Sequence, residues 1–175
     1  AIMALCLLEK VAVLEKNRTH AARDKRGWWG GTLEELRRLE DDLKGLRTED
    51  VAAYRRLASA LKAENPDQGR DDAAEAALRV PLAIMETAAE ALRTAAAVGR
   101  RCAIHLRADV AVAVEFLGSA VQAAYWIARA NALLVENPER QTRLGHIVRQ
   151  GRDAGARRWR AVRRELEKDG EACRR

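Results

Sequence analysis

An all-α fold, an up-and-down bundle of about five long helices, is predicted by three features of the sequence. Ala supplies 35 of 175 residues, and with Leu, Arg and Glu it gives the composition of long helices. Only 11 Gly, 3 Pro and 4% aromatic residues are present, which is too few turn-formers and strand-formers for a β-rich fold. Leu33, Leu36, Leu39, Leu43 and Leu46 recur at the spacing of one helix face. The length suits one domain, residues 1–175. A hydrophobic share of 48% excludes a chain that is disordered throughout.

The elements follow in order. Ala1–Lys16 is apolar nearly all round, which predicts a buried first helix. Residues 17–31 read as a basic loop closed by Gly27-Trp28-Trp29-Gly30-Gly31. The Trp pair would serve as a flap over a pocket or, preferably, as an anchor for the loop. Thr32 with Glu35 has the form of a capping box, so a second helix starts there. A second capping signal, Thr48 with Asp50, falls in mid-run, so this helix either continues or kinks near Gly45 and in both cases covers Val51–Ala63. Asn65-Pro66-Asp67-Gln68-Gly69 is a turn cluster. The third helix spans Asp71 to about Val98, kinked at Pro81 and capped by Gly99. The fourth covers about Leu106–Glu136, and the fifth runs from Pro138, a favourable first position, to about Lys168.

Cys6, Cys102 and Cys173 are odd in number and widely spaced, without a CxxC pair. They form neither a disulfide framework nor a zinc site, and a reduced, cytoplasmic setting is expected. No bound cofactor and no metal are expected. Ala108–Val135 is the longest apolar stretch, yet Asp109, Glu115, Gln122, Arg129 and Asn131 interrupt it. That many polar groups argue for a buried bundle helix rather than a lipid span, so no membrane partner is expected. Residues 138–175 carry 12 Lys+Arg against 6 Asp+Glu, whereas the preceding residues balance to zero. The last segment is either an electrostatic patch for an anionic partner or a solvated helix face. No zinc finger, recognition-helix motif or stacking-aromatic pattern speaks for nucleic acid, which is disfavoured as a partner.

Chemistry, if present, concentrates on the fourth helix. At 100° per residue, Val112, Ala113, Phe116, Ala120 and Ile127 lie within about 60° of Asp109. A carboxylate opening an apolar face is stabilised by the helix N-terminus and opposed by desolvation, a balance suited to general acid or base work. The plainer reading is a helix cap. His105, four residues earlier, belongs to the same helix start as either a partner of Asp109 or a second cap. His20 and His146 lie in basic surroundings and read as solvated. Asn131 is about 40° from Asp109 in azimuth but about 33 Å away along the axis. Two copies of this helix, antiparallel across a two-fold axis, would bring Asp109 of one subunit to Asn131 of the other. No HExxH, Walker loop, GxGxxG or GxSxG occurs.

Three segments in order resemble the formiminotransferase-cyclodeaminase and methenyltetrahydrofolate cyclohydrolase family. They are Thr48-Glu49-Asp50-Val51-Ala52-Ala53-Tyr54, Ala74 through Val80-Pro81-Leu82, and Cys102 through Asn131. An ungapped overlay places Asp109, Arg129 and Asn131 on the family's aspartate, arginine and final asparagine. The resemblance implies a dimeric five-helix bundle with a folate-binding site near the subunit contact. It implies ring closure of a formimino-folate with loss of ammonia, or hydrolysis of a methenyl-folate. Asp109 would transfer protons, Arg129 and Asn131 would bind or orient substrate, and Asp50 would be a second carboxylate nearby. His105, counted with the substrate-binding residues, stands where the family has an asparagine. Ala103, Ala108 and Ile127 also replace polar residues of the pattern. Those departures keep two alternatives open: a relative repurposed for cyclisation, elimination or hydrolysis of another small molecule, and a non-catalytic helical binding or assembly module.

Overall fold

The computed structural model describes residues 1–18, 23–63 and 69–172. Five α-helices make up the fold: α1 (Ile2–Arg18), α2 (Arg23–Lys62), α3 (Arg70–Arg101), α4 (Arg107–Ala132) and α5 (Pro138–Ala172). A single 3-10 turn, Ile104–Leu106, precedes α4, and the described residues contain no strand. The predicted turn over 65–68 and His20 lie outside the described residues.

The core is built on α3, which packs against α2, α4 and α5, while α1 lies against α2 and α4. Ala74, Ala77, Leu78, Met85, Ala88, Leu92, Ala95 and Val98 form its buried side. Small residues let the helices approach closely. A Cβ added at Gly99 would lie 2.7 Å from Leu166, and one at Gly155 would lie 2.7 Å from Val121. Gly151 neighbours Met85 in the same way, so α3 and α5 run side by side in one direction.

Charged groups fasten the connections. Glu15 is 1% exposed; its carboxylate accepts the Ala103 N–H at 2.7 Å and meets Arg18 at 2.9 Å, tying α1 to the α3–α4 link. The Asp71 carboxylate accepts the N–H groups of Glu136 and Asn137 at 2.7 and 3.1 Å, which holds its carboxyl below the usual range. Asn137 Oδ1 accepts the Arg140 N–H at 2.9 Å and caps α5.

Several expected boundaries are corrected. The loop drawn over 17–31 is replaced from Arg23 onward by α2, which runs through Gly27-Trp28-Trp29-Gly30-Gly31 and past Gly45 without a break. Tertiary burial outweighs the poor helix propensity of three glycines: Trp29, Leu33 and Leu36 share one buried stripe. Trp28 stacks edge-on against Trp29 at 4.5 Å, with the Arg101 guanidinium 4.5 Å above it, so the pair is an anchor and not a flap. Thr32 caps nothing; within the helix its hydroxyl donates to the Trp28 carbonyl at 3.0 Å. Gly99 lies inside α3, whose cap is Cys102. The fourth helix ends at Ala132, earlier than Glu136. Neither α1 nor α4 is buried all round, since each leaves an apolar side open.

Candidate functional site

Asp109 occupies the first turn of α4, and its Oδ2 accepts the Lys10 Nζ of α1 at 2.9 Å. The carboxylate is 28% exposed. It is therefore a surface-facing ion-pair acceptor, held from two helices. Because Lys10 meets the start of α4 while Ile2 and Met3 lie beside Ala123 and Ile127, α1 and α4 run antiparallel. Their outer sides join into one apolar face. On α4 it presents Val112, Phe116 and Ile127, and on α1 Met3, Val13 and Leu14, all exposed. Helix α4 is long and apolar enough to cross a membrane by length and composition, and only 39% of its most apolar window is buried.

A hollow of about 540 Å3 opens between α2, α3, α4 and the start of α1. Leu46, Pro81, Ile84, Ala123 and Ile127 make its walls apolar, and Arg47 and Asp50 supply its charge. Pro81, in the interior of α3, thus lines a cavity.

The expected site residues separate within one chain. Asp50 lines the hollow. Asp109 does not, standing about 20–27 Å along α4 from Ala123 and Ile127. His105 is exposed in the 3-10 turn, and no hydrogen bond links it to Asp109. Arg129 lies on another side of α4, in a groove of about 330 Å3 shared with Tyr125, Gln141 and Arg149. Its guanidinium sits 5.4 Å from the Trp126 ring centre. Asn131 has an internal partner: its Nδ2 donates to the Ala77 carbonyl at 2.9 Å. Ala77 is four residues before Pro81, so its carbonyl is the acceptor that Pro81 leaves without a helical donor. Asn131 replaces that missing N–H from the neighbouring helix.

Sequence reasoning missed Lys10 and Arg47. Lys10 was legible as a charge inside the apolar run of α1, but the partner across the bundle was not. Burial and the nearby Glu40 carboxylate push up the carboxyl of Glu9, the neighbour of Lys10 on α1. Among the described residues no group of three His, Cys, Asp or Glu could hold a metal ion.

A family model described as formiminotransferase-cyclodeaminase matches residues 1–150. The chain belongs to that family. The fold agrees with the crystal structure of formiminotetrahydrofolate cyclodeaminase from Thermotoga maritima, with a TM-score of 0.83 at 16% identity. The match covers 95% of this chain and 83% of that one. No curated protein matches this chain significantly. Within the cyclodeaminase-family chain, the second half of α5 lies beyond the residues matched by the family model.

Proposed function

We propose that this cyclodeaminase-family protein is a cytoplasmic homodimeric enzyme acting on a folate one-carbon derivative. The observation that carries the reading is the position of the hollow: Ile127 belongs both to its wall and to the open apolar face of α4. Antiparallel docking of two α4 helices about Ala120 covers that face. It carries the partner's Asp109 toward the Ile127–Asn131 end of α4, at the mouth of the hollow. A complete site then contains Asp50 and Arg47 of one subunit and Asp109 of the other. Arg129, His105 and Asn131 act more remotely in this arrangement. Asn131 keeps α3 shaped at Pro81, His105 flanks the contact, and Arg129 stands on the far side of α4, in the groove with α5.

The chemistry uses few groups. In ring closure, a ring-side nitrogen attacks the formimino carbon and a new C–N bond forms. The formimino group enters protonated (=NH2+) and becomes an amine on attack; the attacking nitrogen's proton passes to that amine, and the old C–N bond breaks with release of ammonia and formation of the methenyl cation. Asp109 serves as the group that moves the proton, a task of general acid–base catalysis. Lys10 holds the carboxylate in place until substrate arrives. Hydrolysis of a methenyl group would use the same carboxylate to take a proton from water.

A second reading, a repurposed substrate, is favoured by Ile127. The family pattern has a polar residue there, and here an alkyl side chain faces the hollow. The test is appearance of methenyl-folate from formimino-tetrahydrofolate, together with thermal shifts on adding folates. Asp109→Asn is expected to cut turnover by about 100-fold or more while the circular dichroism stays unchanged. Full activity in that variant overturns the assignment of Asp109. Absence of both turnover and any folate-induced shift in the unaltered protein overturns the folate reading and leaves the repurposed one.

A further inference from the structure

The excess positive charge of the chain has a definite location. Residues 151–175, beyond the span matched by the family model, hold nine Lys+Arg and five Asp+Glu. On this part of α5 Asp153, Glu165 and Glu167 are engaged, by Arg152 at 2.7 Å, Arg100 at 2.8 Å and Arg163 at 3.0 Å. Arg157, Arg158, Arg160, Arg164 and Lys168 form no ion pair within 4 Å among the described residues, although Arg157 and Arg160 lie near enough to Asp153 to help Arg152 hold its carboxyl low. Arg157, Arg160, Arg164 and Lys168 fall within about 80° of one another, along about 16 Å of helix. Beside them, α3 and α5 enclose a groove of about 640 Å3. Its lining carries Arg93 and Arg100 from α3, which are paired with Glu90 at 3.7 Å and Glu165 at 2.8 Å, and Arg157, Arg158 and the acid Glu165 from α5, with Ala96 and Ala161 between them.

We propose that this groove and the adjoining outer face of α5 bind the phosphodiester backbone of a nucleic acid, without reading sequence. Guanidinium groups match phosphate oxygens in a fixed fork, and a run of them without acidic partners has its charge available for a polyanion. Concavity favours a strand over a flat lipid surface. Neither α3 nor residues 151–168 expose a large apolar side chain that would anchor a bilayer. The lack of base-reading motifs in the sequence agrees with backbone contact alone. The groove is separate from the hollow that contains Asp50, so the proposal does not rest on the folate reading.

The test is fluorescence anisotropy of the full chain with a labelled 20-base-pair duplex of scrambled sequence, titrated across salt. Binding is expected at about 50 mM salt, with a log–log salt slope of about −4, as four or five neutralised phosphates require. Arg157→Glu, Arg158→Glu and Arg164→Glu together are expected to weaken it at least tenfold, whereas the three Arg→Lys changes keep most of it. Circular dichroism checks that both variants fold. No binding at low salt, or equal binding by the charge-reversed variant, overturns the proposal. Retention on phosphatidylserine vesicles without oligonucleotide binding overturns it too, and assigns the face to a membrane.

Discussion

At Pro81 the backbone of α3 lacks a hydrogen-bond donor by covalent chemistry, and the buried carbonyl of Ala77 is left needing one. Asn131 supplies it from α4 at 2.9 Å. Two positions that sequence spacing could only place on different helices are thus one structural unit. The family resemblance gave Asn131 a role on substrate, and the structure gives it a role on Ala77. Asn131→Ala is expected to destabilise the fold by about 1–3 kcal/mol, the cost of a buried carbonyl left unpaired. Pro81→Ala restores a main-chain N–H within reach of that carbonyl. In the Pro81→Ala background the same Asn131→Ala change should therefore cost less than half as much. Urea unfolding of the four proteins checks this as a double-mutant cycle, and equal costs in both backgrounds would show that Asn131 acts elsewhere.

Among the elements, the long helices were legible from the helix-forming composition, from the Leu33–Leu46 stripe and from Pro138 at the first turn of α5. What misled was the local signal of glycine. Gly27, Gly30 and Gly31 look like a loop, yet burial of Trp29 carries the helix through them. Gly118 looks incidental, yet a Cβ there would lie 2.6 Å from the Trp159 ring. Whether a glycine is a gap or a close contact depends on a helix far away in sequence, which one-dimensional periodicity does not contain. The two kinds should respond oppositely to alanine. Gly118→Ala forces Trp159 to shift in the α4–α5 contact and is expected to cost about 1–3 kcal/mol. Gly31→Ala has nothing within 4 Å to meet. It should gain about 0.5–1 kcal/mol from helix propensity. Thermal melts of the two variants give both signs directly.

For the whole molecule, the open side of α1 and α4 is where fold and function join. One chain leaves Asp109 and the Asp50 hollow far apart along α4, while Met3, Val13, Phe116 and Ile127 remain exposed between and around them. A two-fold contact through this side removes apolar surface from water and brings the separated acids together in a single step. Phe116→Glu with Ile127→Arg is expected to give a folded monomer by light scattering, without turnover. Subunit mixing is the sharper measurement. Asp109→Asn and Asp50→Asn chains should each be inactive as homodimers. A mixed dimer has one site in which both acids are intact and one in which neither is. Random exchange makes half the dimers mixed, so about a quarter of the original activity should return. If mixed dimers form and no activity returns, the two acids do not share a site across the contact, and Asp109 must work with groups of its own chain.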